Sequence, residues 1–364
     1  MSATTPSAAH PASTPSRRRS AIAVSVTQNR GFYGAMLLFA VLYIPYNFLH
    51  PRGFTTNVFV ANANETVVLS FVAIAQALAV LTGGLDLSVG AVMTLTTTIA
   101  SWVVVGDPAQ VIFGCVLTVA AGAAFGLANG LVIVYGRLQP IIATLASGAV
   151  ALGLALLLRP IPGGQVDGDL SWAASNSLRD AADTYGLFDG GDAAWFQPIA
   201  WFPMPLLILI VVVGVVWVPF RRTVTGRTLY AIGSSEGAAY MSGLPINRAR
   251  LVAFTLAGFF AGCGGLYLAI QTGVGAANIP QTGVYTLNSI AAVVLGGISL
   301  MGGVGSAVGA IFGAMILRVI SFYFRVLSID PLLQTLVEGM VLLLAVSLGS
   351  LHTLRVKNRL ELFR

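Results

Sequence analysis

Residues 81 to 92 read LTGGLDLSVGAV, and they place one carboxylate, Asp86, inside an apolar region of a chain that is only 9% charged. Without a break there, Val67 to Val105 would form a single run of 39 residues, about twice what one bilayer-spanning helix requires. The segment TGGLDLS supplies the break and turns the run into a hairpin of two spans. Gly83 and Gly84 end the first helix. Asp86 or Ser88 caps the second, with an oxygen accepting free backbone N–H groups and a negative charge suited to the helix dipole. The expectation is therefore a structural turn and cap at Gly83, Gly84, Asp86 and Ser88, set against a buried catalytic or proton-carrying acid. It also places Asp86 at a membrane surface, away from lipid.

The rest of the chain has the same character. It has 364 residues, 56% of them hydrophobic and 41 of them glycine, with a mean hydropathy of +0.86. Soluble domains rarely look like this. Apolar runs of spanning length recur about ten times: roughly 32 to 49, 66 to 82, 87 to 105, 109 to 135, 140 to 158, 201 to 220, 251 to 271, 286 to 301, 303 to 324 and 331 to 348. The fold class expected is an all-α integral membrane protein of about ten transmembrane helices. Between Asn288 and Phe324 only Gly302, Gly303 and Gly305 mark a break, and a single kinked helix there would change the parity.

Basic residues are retained on the cytoplasmic side of a membrane. With the N-terminus inside, 14 of the 19 basic residues fall in cytoplasmic segments, and only Arg52, Arg159, Arg179, Arg318 and Arg325 fall outside. The even-numbered model, with both termini cytoplasmic, passes this test. It divides the chain into a cytoplasmic tail at 1–30, a membrane domain at 31–350 and a second tail at 351–364. The first tail is rich in Ser, Thr, Ala and Pro and carries Arg17 to Arg19, which suits disorder. It is not read as a signal peptide, because the apolar segment after it is long enough to span and no small-residue cleavage site closes it. The net charge of +6 follows from topology, so the partner is a lipid membrane and no nucleic acid is expected. Cys115 and Cys263 lie within expected spans, so neither a disulfide framework nor a metal site is indicated.

Two polar insertions interrupt the spans. The outer one, about 159 to 200, carries six of the thirteen acids, Asp167, Asp169, Asp180, Asp183, Asp189 and Asp192; it is either a solvated face or a docking surface. The inner one, about 221 to 250, contains Ser234 and Ser235, either of which can cap a short helix with Glu236 in its first turn. Gly243 and then Pro245 end that helix. Gly237, Ala238 and Ala239 are small enough to let another surface approach, and the segment reads as a docking knob rather than an interfacial anchor, which would want more bulk.

Absences narrow the function. A P-loop needs a lysine on the phosphates, and the only lysine here is Lys357, in the tail. The intramembrane relay of ionisable residues found in ion-coupled carriers does not appear, nor does any catalytic motif. The chain is not read as an enzyme.

Four segments, TGGLDLSVGAV (Thr82 to Val92), NGLVIVYGRLQPIIATLASG (Asn129 to Gly148), GRTLYAIGSSEGAAYMSGLP (Gly226 to Pro245) and LNSIAAVVLGGISLMGGVGSAVGAIFG (Leu287 to Gly313), resemble the bacterial ribose-type ABC sugar permeases in the family's order. The resemblance covers about residues 32 to 348. It implies the ABC importer permease fold in the bacterial inner membrane, pairing with a second permease copy or paralogue, and a periplasmic sugar-binding protein that delivers a monosaccharide. It also implies a cytoplasmic ABC ATPase that uses ATP and Mg, with no cofactor in this chain. The family's coupling-helix motif, Glu-x-Ala-Ala before Ser-Gly, maps onto Glu236, Ala238, Ala239, Ser242 and Gly243, within a candidate ATPase-coupling set that adds Arg227, Ser234, Ser235 and Gly237. The chain has Gly233, Ser234 and Ser235 where the family commonly has Gly-Gly-Asn, and Asn288 where it commonly has Asp. The family often has a basic residue near Glu338.

The resemblance further implies alternating access driven by closure of two ATPases. Neutral sugars need no fixed charge along their path, in keeping with the scarcity of ionisable residues in the spans. Candidate pathway residues are Gln76, Asn129, Gln139, Thr144, Gln271, Asn278 and Asn288. The rival reading is an ATPase-independent secondary transporter or channel for a small neutral solute.

Overall fold

The computed structural model describes residues 30–277, 279–330 and, in the last apolar run, 333–334, 336–341, 343–344 and 347; the tails at 1–29 and 351–364 and the candidate Asn278 lie outside the described residues. Its named elements are all helices. In chain order they are α1 (Arg30–Leu49), α2 (Thr56–Leu81), α3 (Val89–Val103), α4 (Pro108–Tyr135), α5 (Pro140–Leu158), α6 (Gly168–Ser175) and α7 (Leu178–Thr184). Then come α8 (Met204–Arg222), α9 (Val224–Ser234), α10 (Glu236–Met241), α11 (Ile246–Thr272), α12 (Ile279–Leu295) and α13 (Ala307–Val326).

Among the described residues, seven helices are long and apolar enough to cross a membrane: α1, α2, α4, α5, α8, α11 and α13. Helix α3 has 15 residues, or about 23 Å at 1.5 Å per residue, short of a hydrocarbon core of about 30 Å. Helix α12 has 17 residues. The eighth expected span, 286 to 301, is displaced toward the N-terminus. The chain leaves α12 through Gly296 and Gly297, the latter at φ +77, and 296–306 is a turn before α13. The expected break at Gly302 to Gly305 is present, so 288 to 324 is not one kinked helix.

Helix α2 is the axis of the molecule. It buries residues on every side, the polar Asn62, Asn64, Ser70 and Gln76 among them, and 94% of its most apolar window is buried. It packs against α8, α11, α12 and α13. Helices α4 and α5 lie at the periphery and expose Ile112, Phe113, Val116, Leu145 and Leu157.

Helix α4 meets α11 through glycine. A β-carbon on Gly126 would sit 2.3 Å from the Phe254 carbonyl oxygen, and one on Gly258 would sit 2.2 Å from the Gly122 oxygen. Gly122 and Gly126 on one helix face Gly258 and Gly262 on the other, a four-residue spacing of small residues that lets helix backbones touch. Gly130 meets Leu251 in turn, so the helices run antiparallel.

Helix α8 contains a π turn at Val213–Trp217 between two α segments. There Trp217 is fully buried while Val215 and Val218 are exposed.

The connections sort to two ends. At one end the 82–88 turn, 136–139, 223–245 and 296–306 meet: the Gly303 N–H donates to the Leu81 carbonyl at 3.2 Å, and Gly84 lies against Pro140. At the other end the Asp167 N–H donates to the Val104 carbonyl at 2.9 Å, Gly163 bridges Gly275, and Arg325 pairs with Glu65. The acidic insertion is built there. Asp167 caps α6, Asp180 forms a capping box with Ser177 at α7, and Asp192 pairs with Arg179 at 2.7 Å. These three acids therefore have local partners.

Replacing Gly258 with Val forces α4 away from α11 and should cost about 1–3 kcal/mol by overpacking, read as a lower melting temperature of the purified protein. Gly153→Ala, where no atom lies within 4 Å, should leave the melting temperature unchanged or slightly raised.

Candidate functional site

The turn after α2 is stitched into its neighbours. Thr82 Oγ1 donates back to the Ala79 carbonyl at 2.7 Å, and Gly83 takes φ +79, a left-handed conformation that suits glycine. The Asp86 carboxylate then accepts from the Ser88 N–H at 2.8 Å and from the Ser88 hydroxyl at 2.6 Å. Asn129 on α4 donates to the same hydroxyl at 2.9 Å, and the Leu87 N–H donates to Thr144 on α5 at 2.9 Å. Asp86 thus holds the first turn of α3 through an N–H two residues on, while Ser88 makes no side-chain cap bond.

One expectation is corrected. Asp86 is 2% exposed and lies with Gly126 and Asn129 of α4 and Ala257 and Gly258 of α11, so the acid is covered by protein and not placed at a wetted surface. Burial pushes its carboxyl above the usual carboxylate range, against the two hydrogen bonds from Ser88. The sequence locates this turn between spans but does not carry the depth at which neighbouring helices overhang it.

The pathway candidates separate into groups. Asn129 and Thr144 join the Asp86 network. Asn288 on α12 donates to Glu338 at 2.8 Å, and Glu338 also accepts from Gln334 at 2.7 Å and Ser321 at 3.3 Å. That second buried polar cluster was not assembled from sequence, although Gln334 and Glu338 stand one helical turn apart. Gln139 is exposed ahead of α5, and Gln271 is half-buried near the end of α11. Gln76 stands alone on the axial helix: fully buried, with neither amide atom hydrogen-bonded. A buried amide without partners is costly, which singles it out among the candidates.

The inner insertion folds as two helices. Thr223 caps α9, accepting from the Gly226 N–H at 3.0 Å, and Arg227 donates to the Arg222 carbonyl at 2.9 Å. Ser235, and not Ser234, caps α10, accepting from the Ala238 N–H at 3.3 Å; Ser234 donates to the Tyr230 carbonyl at 2.9 Å. Ser242 donates to the Ala238 carbonyl at 2.8 Å, and Gly243 turns the chain at φ +72. Glu236 pairs with Arg250 at 2.9 Å.

Here too the structure corrects a residue. Ala239 is 4% exposed and packs into the core, so it is not on the outer face of α10. That face carries Gly237, Ala238, Tyr240 at 76% exposure and Met241 at 83%. A six-residue helix is too short for periodicity to show which side faces in, so the sequence carries no signal for these two large exposed side chains.

Helix α9 rests on the other connections without a side chain between them. A β-carbon on Gly233 would lie 2.2 Å from the Gly303 nitrogen and 2.3 Å from the Leu81 oxygen, the two atoms that share the hydrogen bond between the 296–306 turn and α2.

The family model described as a branched-chain amino acid transport system permease component matches residues 58–346. The chain belongs to this permease family. It is 33% identical over 299 residues to the ribose import permease protein of Escherichia coli (strain K12), covering 82% of this chain and 87% of that one. To the ribose import permease protein of Bacillus subtilis (strain 168) it is 33% identical over 286 residues, 78% and 82% of the two chains. To the fructose import permease protein of Rhizobium meliloti it is 31% identical over 296 residues, 78% and 75%. No solved structure gives a significant match. The resemblance read from four segments is borne out, and the permease is a multi-pass protein of the bacterial inner membrane.

Asp86→Asn keeps the oxygen that accepts both Ser88 bonds, so melting temperature and uptake should stay near wild type. Asp86→Ala leaves the Ser88 donors unpaired and should destabilise by about 1–2 kcal/mol, measured by thermal denaturation. Loss of uptake by the Asn variant with normal insertion would show that the charge itself matters.

Proposed function

We propose that this permease imports a monosaccharide as the membrane subunit of an ABC transporter, powered by a separate ATPase. The observation that carries the substrate class is the group of sugar import permeases aligned over most of both chains, among them the ribose and fructose proteins above. The interior is consistent with it. Gln76, Asn129, Asn288 and the buried threonines offer neutral hydrogen-bonding groups, which suit hydroxyls better than a zwitterion.

In this reading the chain crosses the membrane ten times, with α3, α12 and the run after Asp330 completing the set, and both termini are cytoplasmic. The end holding 223–245 then faces the ATPase, and the acidic insertion faces a periplasmic binding protein. Helix α10 is the coupling helix. Its outer face, Tyr240 and Met241 flanked by Gly237 and Ala238, fills a cleft of the ATPase, while Ala239 anchors the helix inward. Glu236 is held by Arg250 and stiffens the helix base. Motion of the cleft passes from α10 into α9, then through the backbone contact at Gly233 to α2 and the 296–306 turn. The Asp86 network carries it on to α4 and α5. A second permease, identical or related, completes the pathway. An ATPase-independent carrier is not favoured.

The test is uptake of radiolabelled ribose, fructose or galactose into membrane vesicles that hold this chain with its ATPase and binding protein. Uptake should require ATP, and transport driven by an ion gradient without any ATPase would overturn the reading. Tyr240→Glu with Met241→Glu should reduce ATPase co-purification and uptake at least about tenfold, as expected for two anchor residues at an interface, with insertion unchanged. Gly233→Ala should instead keep the ATPase bound and lower uptake, because its β-carbon displaces the Gly303 to Leu81 hydrogen bond.

A further inference from the structure

The junction of α8, α9 and α13 leaves positive charge without negative charge. Arg221, Arg227, Tyr230, Gly305 and Ser306 line a cleft of about 320 Å³, and Arg222 stands beside it in sequence. Among the described residues, none of Arg221, Arg222 and Arg227 pairs with a carboxylate; the ion pairs formed are Arg179 with Asp192, Arg250 with Glu236 and Arg325 with Glu65. Glu236, the one acid of the inner insertion, is thus engaged elsewhere. Ser306 precedes α13 as its N-cap residue, and its side chain makes no cap bond. The cleft therefore offers the Arg221 guanidinium, the donors of Arg227 not used on the Arg222 carbonyl, a hydroxyl and the positive end of a 20-residue helix.

Its depth identifies what comes to it. Helix α8 runs 19 residues from Met204 to Arg222, about 28 Å, close to the thickness of a hydrocarbon core. With one end of α8 at the outer boundary, Arg221 sits at the level of the inner-leaflet phosphates. The residues that flank the arginines in sequence include exposed apolar ones, Val218 at 40% and Val224 at 64%. A lipid can thus lay its chains along α8 and its headgroup in the cleft. Guanidinium matches phosphate oxygens two at a time, and basic pockets between spanning helices on the cytoplasmic side suit anionic headgroups.

We propose that the cleft of Arg221, Arg227, Tyr230 and Ser306 binds the phosphate headgroup of an anionic phospholipid from the cytoplasmic leaflet. The site uses the orientation given above but needs neither sugar nor ATPase, so it is tested without transport. The full chain, purified in detergent, is exchanged into mixed micelles containing phosphatidylglycerol or phosphatidylcholine, and the lipid retained after washing is counted by native mass spectrometry. The wild type should retain phosphatidylglycerol over phosphatidylcholine. Arg221→Gln with Arg227→Gln should weaken that retention about 30-fold, the equivalent of two surface arginines. Arg248→Gln, which removes an exposed charge outside the cleft, should leave it unchanged. Arg221→Lys with Arg227→Lys keeps the charge and guards against a folding artefact; it should retain lipid at an intermediate level.

Equal retention by the glutamine variant and the wild type would overturn the proposal. So would displacement of the lipid by an equal concentration of inorganic phosphate, which would make this a free-phosphate site. Loss of the lipid on assembly with the ATPase would assign the arginines to that protein partner instead.

Discussion

The packing of this permease depends on backbone meeting backbone where no β-carbon fits. In a bilayer, helices gain nothing by hiding apolar side chains from one another, because the lipid is as apolar as they are. Dispersion contact at short range must replace the hydrophobic effect. Gly122, Gly126, Gly258 and Gly262 bring α4 onto α11 closely enough that carbonyl oxygens lie where side chains would begin. Gly265 does the same against Met93 and Thr96 of α3, and Gly90 against Thr282 and Thr286 of α12. With these contacts made, α2 is enclosed on all sides, and polar groups such as Gln76 and Asp86 are buried by protein and shielded from lipid.

The same device operates where the connections gather. Gly233 sits on the hydrogen bond between Gly303 and Leu81, so a helix of the inner insertion, a turn between spans and the end of the axial helix share one point of contact. Side chains at such a point would yield by changing rotamer. Backbone cannot, and under the function proposed above displacement of one segment would pass to the others. The Asp86 network continues the rigid path, since its hydrogen bonds tie the α2–α3 turn to both α4 and α5.

Much of the architecture was legible because its signals are local and strong. A 39-residue apolar run cannot be one span, and TGGLDLS is where it had to break. Of the two helices of the inner insertion, α10 could be expected from its cap and its Gly-Pro stop, whereas α9 before it was not. What escaped the sequence is what depends on neighbours. The burial of Asp86 comes from helices distant in the chain. The inward turn of Ala239 and the exposure of Tyr240 and Met241 depend on how α10 sits, which six residues cannot reveal. The polar cluster of Asn288, Ser321, Gln334 and Glu338 joins two named helices and the last apolar run, and no spacing predicts it. Gly258 and Gly262 do carry a readable spacing, but among 41 glycines it is only one pattern of many.

The π turn in α8 has a consequence for anyone reading this segment as a helical wheel. A π turn closes its hydrogen bond one residue later than an α turn, so it holds an extra residue. Everything beyond Trp217 is rotated by about 100° relative to an uninterrupted helix. Phe220, Arg221 and Arg222 therefore take their compass bearing from an insertion one turn upstream, and the periodicity of Met204 to Val212 extrapolated across it would aim them at the wrong neighbour. In evolutionary terms, gaining or losing one residue at 213–217 would re-aim Arg221 and Arg222 without altering either.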